Sequence, residues 1–377
     1  MKGFMSFAKV LGVVLLSVVV ASIGLGQFLL RSDAIQQTLA VCGSGNGLNY
    51  FGVNEPLGWP GLYPPERLER SLGMMADTGI GWVRVNWAWK DMQPQEGGSF
   101  DYTHLDDVAR IAAEHGIQVL PILIAIPEWS STAPDALKAQ RGSLSPVDVY
   151  RPKDFQDWLH YVQNVVERYD GDGVDDAPGS PRMNYWEVWN EPNIAQFWPP
   201  APDAAEYLAL LKATYQTIKA ADPTAKVVLG GLANADSHYF QTLYDLGGAP
   251  HFDVASVHVY SHPKNGAKPV QNVLAGVRAV MDAHGDASKP LWLTEIGWSD
   301  APNAWGAPTV SQDDMAAFVT AVYSAPLPVD LIFWYNFRNI FPNSPDVEHN
   351  FGLVNADFTP KPAYDAYKRL AQQCAKK

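Results

Sequence analysis

Tyr185-Trp186-Glu187-Val188-Trp189-Asn190-Glu191-Pro192-Asn193 reads as a strand that ends on a bare carboxylate. Its aromatic and β-branched residues favour extended backbone, and Pro192 lacks the N–H that a continuing ladder would need. Residues 290–298, Pro-Leu-Trp-Leu-Thr-Glu-Ile-Gly-Trp, repeat the design, with Glu295 at the end of the strand. Two strand-end glutamates set among tryptophans suit cleavage of a sugar–sugar bond. That chemistry needs one protonated carboxyl to assist the leaving oxygen and one ionised carboxylate to attack the sugar carbon.

Outward from these two runs the chain alternates. Apolar, β-branched or aromatic segments predict strands at 49–54, 81–87, 117–125, 184–190, 226–231, 252–260, 290–295 and 330–336. Helical periodicity follows at 65–78, 103–115, 154–169, 203–221, 237–246, 270–284, 311–324 and 361–373, with Asp203, Ser311 and Pro362 as start signals. Strand–helix alternation predicts a parallel sheet with helices outside, and eight units predict the α/β class and a single closed (β/α)8 TIM barrel. An open doubly wound sheet would carry a glycine-rich phosphate loop after its first strand, and none is present. The longer loops follow the strands, as expected where this architecture builds a site.

The chain has 377 residues and a net charge of −13. That balance argues against a nucleic-acid partner, which needs clustered Lys and Arg. Residues 1–41 read as a signal peptide or signal anchor with a short linker, ahead of a catalytic domain at 42–377. Lys2 and Lys9 precede an apolar run from Val10 to about Leu30, and Val20-Ala21-Ser22 is a candidate cleavage site. Either reading places the domain outside the cytoplasm: secreted, periplasmic, or held at the outer face of the membrane. The two cysteines, Cys42 and Cys374, bracket the domain, and both ends of a barrel chain arrive at its bottom face, so they are a disulfide candidate. Two free thiols are the alternative.

Alternate strand residues point into a barrel. Glu187, Trp189 and Glu191 are therefore expected on one side, with Glu191 at the mouth and Glu187 a deeper, structural carboxylate. Arg84 and Asn86 turn inward on the second strand, and Arg84 needs Glu187 or Glu295 as partner. Reaching Glu295 would hold a nucleophile ionised; pairing only with Glu187 would be scaffolding. His258 and Tyr260 point inward on the sixth strand, where Tyr260 is placed to donate to Glu295, and a satisfied core histidine is the plainer reading of His258. Trp334 is expected inward on the eighth strand as a flat platform for a pyranose. Trp129, Trp198 and Trp298, with Trp59 and Trp305, are further loop aromatics for sugar subsites, some of the tryptophans serving instead as barrel filling.

Trp-Asn-Glu-Pro ending the fourth strand and Thr-Glu ending the seventh resemble clan A glycoside hydrolases, the retaining (β/α)8 enzymes that include families 5, 10 and 39. The wording Glu-Val-Trp-Asn-Glu-Pro-Asn at 187–193 is most similar to family 39. The resemblance covers about residues 48–372. It implies that Glu191 is the acid/base and Glu295 the nucleophile, and that Asn190 bonds the sugar 2-hydroxyl. It places Arg84, His258 and Tyr260 around the nucleophile and Trp334 under the sugar. The sequence departs at Ile296-Gly297-Trp298, which is closer to family 5 or polysaccharide-biosynthesis hydrolases than to typical xylosidases.

The expected reaction is double displacement on β-linkages of an extracellular or cell-envelope polysaccharide, endo-acting because of the loop aromatics, by a monomer that needs no cofactor. A non-catalytic carbohydrate-binding barrel and a transglycosylase using the same residues are the alternatives. The acidic run at 171–176 lacks the full EF-hand pattern for calcium and reads as a solvated loop. His251, His258 and His262 lack a zinc ligand spacing.

Overall fold

Eight parallel strands form one barrel sheet in the computed structural model, which describes residues 42, 49–138, 146–179, 181–302 and 309–374. The strands are β1 Phe51–Asn54, β2 Trp82–Ala88, β3 Gln118–Ile124, β4 Tyr185–Val188, β5 Lys226–Leu229, β6 Ala255–Val259, β7 Leu291–Ile296 and β8 Leu331–Tyr335. Each is followed by a main helix: α1 Pro65–Thr78, α2 Thr103–Glu114, α3 Phe155–Arg168, α4 Ala204–Ala221, α5 Ser237–Asp245, α6 Val270–Ala283, α7 Gln312–Tyr323 and α8 Pro362–Cys374. Every expected boundary lies within three residues of the observed one. Segment 1–41, with its expected signal or anchor, lies outside the described residues. Among those residues no helix is long and apolar enough to cross a membrane.

The strand order is β5-β4-β3-β2-β1-β8-β7-β6. Between β5 and β6 the ladder is reduced to isolated bridges, Val228 with Val254 and Leu232 with Val257, so the barrel is nearly closed and carries a seam there.

Two apolar layers explain the alternation. Trp82, Leu120, Val228, Trp292, Leu331 and Phe333 fill the barrel interior. Val53, Val83, Val85, Val188, Ile332 and Trp334 pack in the larger core shared with the helices. Near the bottom, Trp82 and Trp292 meet edge to face at 5.5 Å, a favoured aromatic geometry. Gly52 makes this filling possible, because a Cβ there would lie 2.7 Å from the Phe333 ring.

Helix starts follow the sequence signals. Asp203 accepts from the N–H groups of Ala205 and Glu206, and Ser311 from that of Asp314. Cys42 and Cys374 form a disulfide with their Cα atoms 5.3 Å apart, tying α8 to the start of the domain.

Candidate active site

Strand β4 stops at Val188, and its pleat stops with it. Trp189 and Glu191 both adopt left-handed backbone, with φ 73° and 46°. That conformation is uncommon for residues with a Cβ and costs on the order of 1–3 kcal/mol each. It changes which way the side chains point. Trp189 swings outward against Trp158 and Trp198, its indole donating to the Phe197 carbonyl at 2.7 Å. The expectation that Trp189 shares a side with Glu187 and Glu191 therefore fails, because strand alternation no longer applies there. Asn190 and Glu191 are both released toward the barrel mouth.

Hydrogen bonds hold the turn. The Glu191 N–H donates to the Gly231 carbonyl at 3.1 Å. Asn193 clasps Ala233 on both backbone groups, at 3.0 and 2.9 Å.

Arg84 on β2 organises the floor. All five of its N–H donors are used: two to Glu187 at 2.6 and 3.0 Å, and one each to Asn190 at 2.8 Å, Asn54 at 2.9 Å and Glu295 at 2.7 Å. Arg84 thus serves both partners that the sequence offered it. Glu187 is fully buried and also accepts from the Gly231 N–H at 3.0 Å, as a structural carboxylate would. Asn54 was not singled out in the sequence. It sits at the end of β1, accepts from Arg84, and donates to the Thr294 carbonyl at 2.8 Å, so it locks β7 beside β2.

Glu295, at the end of β7, is held by donors. Beside Arg84, the Tyr260 hydroxyl donates to its other oxygen at 2.6 Å, and His258 Nδ1 approaches that oxygen at 3.5 Å. Burial, followed by the charge of Glu295, raises the Tyr260 pKa well above its ordinary value, so the phenol keeps its proton and stays a donor.

Glu191 and Glu295 meet across one pocket. A carboxylate oxygen of each, together with a His258 ring nitrogen, lie within 4.8 Å of one another. The environments of the two carboxylates differ. Glu191 has no cation in direct contact, and burial pushes its pKa up to about 7, opposed by the more distant Arg84 charge. Burial also pushes His258 down to about 4, despite the raising effect of Glu295, so the imidazole is neutral. His258 Nδ1 lies 2.8 Å from a Glu191 oxygen, and its buried Nε2 has no partner. The Nδ1–H tautomer matches these neighbours: it donates to Glu191 and leaves the other Glu191 oxygen to carry a proton toward the pocket.

Gly231 makes room for the imidazole. A Cβ at that position would lie 2.1 Å from His258 Nε2 and 2.8 Å from the Thr294 hydroxyl. Gly297 has a comparable role in the sequence departure after Glu295, since a Cβ there would lie 2.0 Å from the Tyr335 carbonyl.

The aromatic expectations need correction. Trp334 is fully buried and faces outward, packed 5.8 Å from Trp298. It does share a side with Ile332, but that is the helix side, because Phe333 faces the barrel interior. Trp298 is 2% exposed, packed on Phe318 of α7, with its N–H on the Ser261 carbonyl. Trp198 is 1% exposed and wedged between Trp189 and Tyr207. None of these three offers a face to a sugar. Trp129 and Trp59 remain half-buried, whereas Trp305 lies outside the described residues.

The inward aromatic of β8 is Tyr335, edge to face with Tyr260 at 6.2 Å and with Phe351 at 5.2 Å. Its hydroxyl donates to Glu348, a rim carboxyl that the sequence reading missed. Glu348 is exposed to solvent and lies close to the charges of the pocket. Desolvation there, then the charges of Glu295, Asp346 and Glu191, push it up to about 7.

Among the described residues, two trios place metal-ligand atoms within 4.8 Å of one another: Glu191, His258 and Glu295, and Glu167, Asp170 and Asp172. The first is the pocket itself. In the second, Asp170 and Asp172 accept from backbone N–H groups of their own loop, at 3.1 and 2.8 Å.

The chain resembles known proteins in sequence and in fold. The sequence profile of Glycosyl hydrolases family 39 matches residues 67–376. A β-xylosidase of Caldicellulosiruptor saccharolyticus is 27% identical over 298 residues, 72% of this chain and 56% of that protein. One from Geobacillus stearothermophilus is 24% identical over 328 residues, 80% of this chain and 61% of that protein. This chain thus spans less than two thirds of those relatives. The crystal structure of a family 39 enzyme from Xanthomonas axonopodis pv. citri matches at TM-score 0.70 and 22% identity, covering 89% of this chain and 68% of the other, which speaks for a shared fold. With the profile covering most of its length, the chain belongs to glycosyl hydrolases family 39, a clan A retaining family.

Proposed function

We propose that this chain is a retaining β-glycosidase with Glu191 as acid/base and Glu295 as nucleophile. One observation carries the reading: carboxylate oxygens of Glu191 and Glu295 lie within 4.8 Å of each other, in unlike surroundings. Retaining enzymes separate the two carboxyl groups by about 5–5.5 Å, and inverting enzymes by about 6.5–9.5 Å to admit a water. Glu295, gripped by Arg84 and Tyr260, attacks the anomeric carbon, while the protonated Glu191 delivers its proton to the leaving oxygen. The product of this step is a covalent glycosyl–enzyme. Esterification removes the Glu295 charge, which favours release of the Glu191 proton, so Glu191 then serves as base for an incoming water. Asn190, fixed by Arg84, faces the position of the sugar 2-hydroxyl, and Tyr335 replaces Trp334 as the aromatic wall.

The name shared by the two relatives, β-xylosidase, supports β-linked pyranosides as substrates. Endo-action keeps the half-buried Trp59 and Trp129 as its support. A ladder of products from a polymer would show it, and monosaccharide alone would refute it. Export is supported by the basic-then-apolar start of the chain and by a disulfide, a bond that persists in oxidising compartments. Fractionation of cells expressing the full chain checks this: cytosolic recovery with both thiols reduced would contradict it.

The activity is tested by assaying wild type and Glu295→Ala on aryl β-xyloside, β-galactoside and β-glucoside and on a polysaccharide panel. Turnover by wild type alone supports the reading. Equal, zero turnover by both proteins, with sugar binding retained, would make the barrel a non-catalytic binder.

A further inference from the structure

The pocket is rich in carboxyls and short of cations. Among the described residues, Arg84 is the one cation in contact with Glu187 and Glu295, and all five of its donors are taken. His258, beside Glu191, is neutral. Cations on the surrounding loops are engaged elsewhere or face solvent. Arg338 is buried against Glu55 and Tyr63, and Lys361 pairs with Asp300 at 3.0 Å. Lys264 and Lys268, on the loop after β6, are exposed and form no ion pair with a described residue. A sugar carboxylate entering here would meet negative charge without a cation to pair with.

A further carboxyl stands beside this pocket. Glu348 lies in the one-turn helix Val347–His349 of the loop after β8. Three hydrogen bonds fix that turn. The Glu348 N–H donates to the Asp346 carboxylate at 3.0 Å, the Asn350 amide to the Asp346 carbonyl at 2.6 Å, and the Ser299 hydroxyl to the Val347 carbonyl at 2.8 Å. Ser299 follows Glu295 closely in the chain, so the turn is tied to the end of β7. The Tyr335 hydroxyl donates to the Glu348 carboxyl. Tyr335 meets Tyr260 edge to face at 6.2 Å, and Tyr260 donates to Glu295 at 2.6 Å. Glu348 and Glu295 thus stand at the two ends of one aromatic wall, and the charges of Glu295 and Glu191 both reach Glu348.

A pyranose joined to Glu295 through its anomeric carbon, and resting on the Tyr335 wall, turns its remaining hydroxyls toward Glu348. We propose that Glu348 is a specificity-determining residue, which accepts hydroxyl donors of an uncharged sugar at the point of attack and repels a uronate. Tyr335 occupies one of the acceptor positions of the Glu348 carboxyl and leaves others open on an exposed side chain. A hydroxyl donating to a carboxylate makes a charge-assisted bond, whereas a second carboxylate brings like charge and no donor. This inference rests on the glycosidase reading and deepens it: the sugar whose bond is cleaved is neutral, not a uronic acid.

Phenyl β-thioglucuronic acid and its amide test it. The two share one shape and differ by one charge, and both serve as competitive inhibitors against the aryl β-glycoside that wild type cleaves fastest. Inhibition constants are measured at pH 8, where Glu348, raised to about 7, is mostly ionised. We expect wild type to bind the amide about tenfold or more tightly than the acid, and Glu348→Gln to shrink that ratio about fivefold or more. Glutamine at this exposed position keeps an acceptor for the Tyr335 hydroxyl, and a general loss of stability would weaken both inhibitors alike and leave the ratio unmoved. Inhibition by the acid as strong as by the amide, inhibition by neither, or an unchanged ratio in Glu348→Gln would overturn the role of Glu348 while leaving the glycosidase reading intact. A wild type that cleaves no aryl glycoside overturns that reading and the selectivity with it.

Discussion

Glu191 is buried and lacks a directly bound cation, and both its reactivity and its cost follow from that. Its pKa, raised to about 7, makes it an acid that is lost as pH rises. We expect kcat/KM to be half-maximal near pH 7 and to fall about tenfold per pH unit above it. A pH–rate profile checks this, and Glu348→Gln should keep the limb even though Glu348 is also raised to about 7. The stability effect has the same sign. A carboxyl raised above its unfolded value near 4.5 supports the fold below that pH and withdraws the support as pH climbs to 7. Glu191→Gln should therefore be more stable than wild type by up to about 3 kcal/mol at pH 7–9, with no gain at pH 4, measured by urea unfolding. Arg84 was legible in the sequence because it lies within β2, and His258 and Tyr260 because they share a side at the end of β6, although the ladder shifts register between Val257 and His258. Trp334 was misread because alternation tells which residues share a face, but not which face is inside. Glu348 follows β8 on a loop with no periodicity, so no pattern pointed to it.

The ends of β4 and β5 form the element on which the site depends. Their strand segments were readable from apolar runs, but the left-handed turn at Trp189 and Glu191 was not, since neither residue type announces it. Gly231 is the point where the two strand ends and His258 meet. Gly231→Ala should push the imidazole off Glu191. We expect kcat to drop on the order of 100-fold, because displacement of a catalytic group by about 1 Å costs that much. The overpacked seam should also lose about 1–3 kcal/mol of stability. Activity assays and thermal melts measure the two effects separately, and unchanged kcat would show that the His258–Glu191 contact does not matter.

At the scale of the molecule, the eight-unit alternation was readable because each strand is bounded by turn signals and each helix by its own period. The seam between β5 and β6 was not, because ladder continuity depends on long-range pairing. Closure of the chain rests partly on the Cys42–Cys374 disulfide, which spans 332 residues. Cys42→Ser should cost about 2–5 kcal/mol in denaturant unfolding, and wild type should lose as much on reduction. All of these expectations assume that Glu191 and Glu295 act on one anomeric carbon. The most direct measurement incubates the enzyme with a 2-deoxy-2-fluoro β-glycoside of a sugar it cleaves, then maps the adduct by peptide mass spectrometry. A stable glycosyl ester on Glu295, formed in wild type and absent in Glu295→Gln, is the predicted result. An ester on another carboxylate, or inactivation with no ester at all, would contradict it.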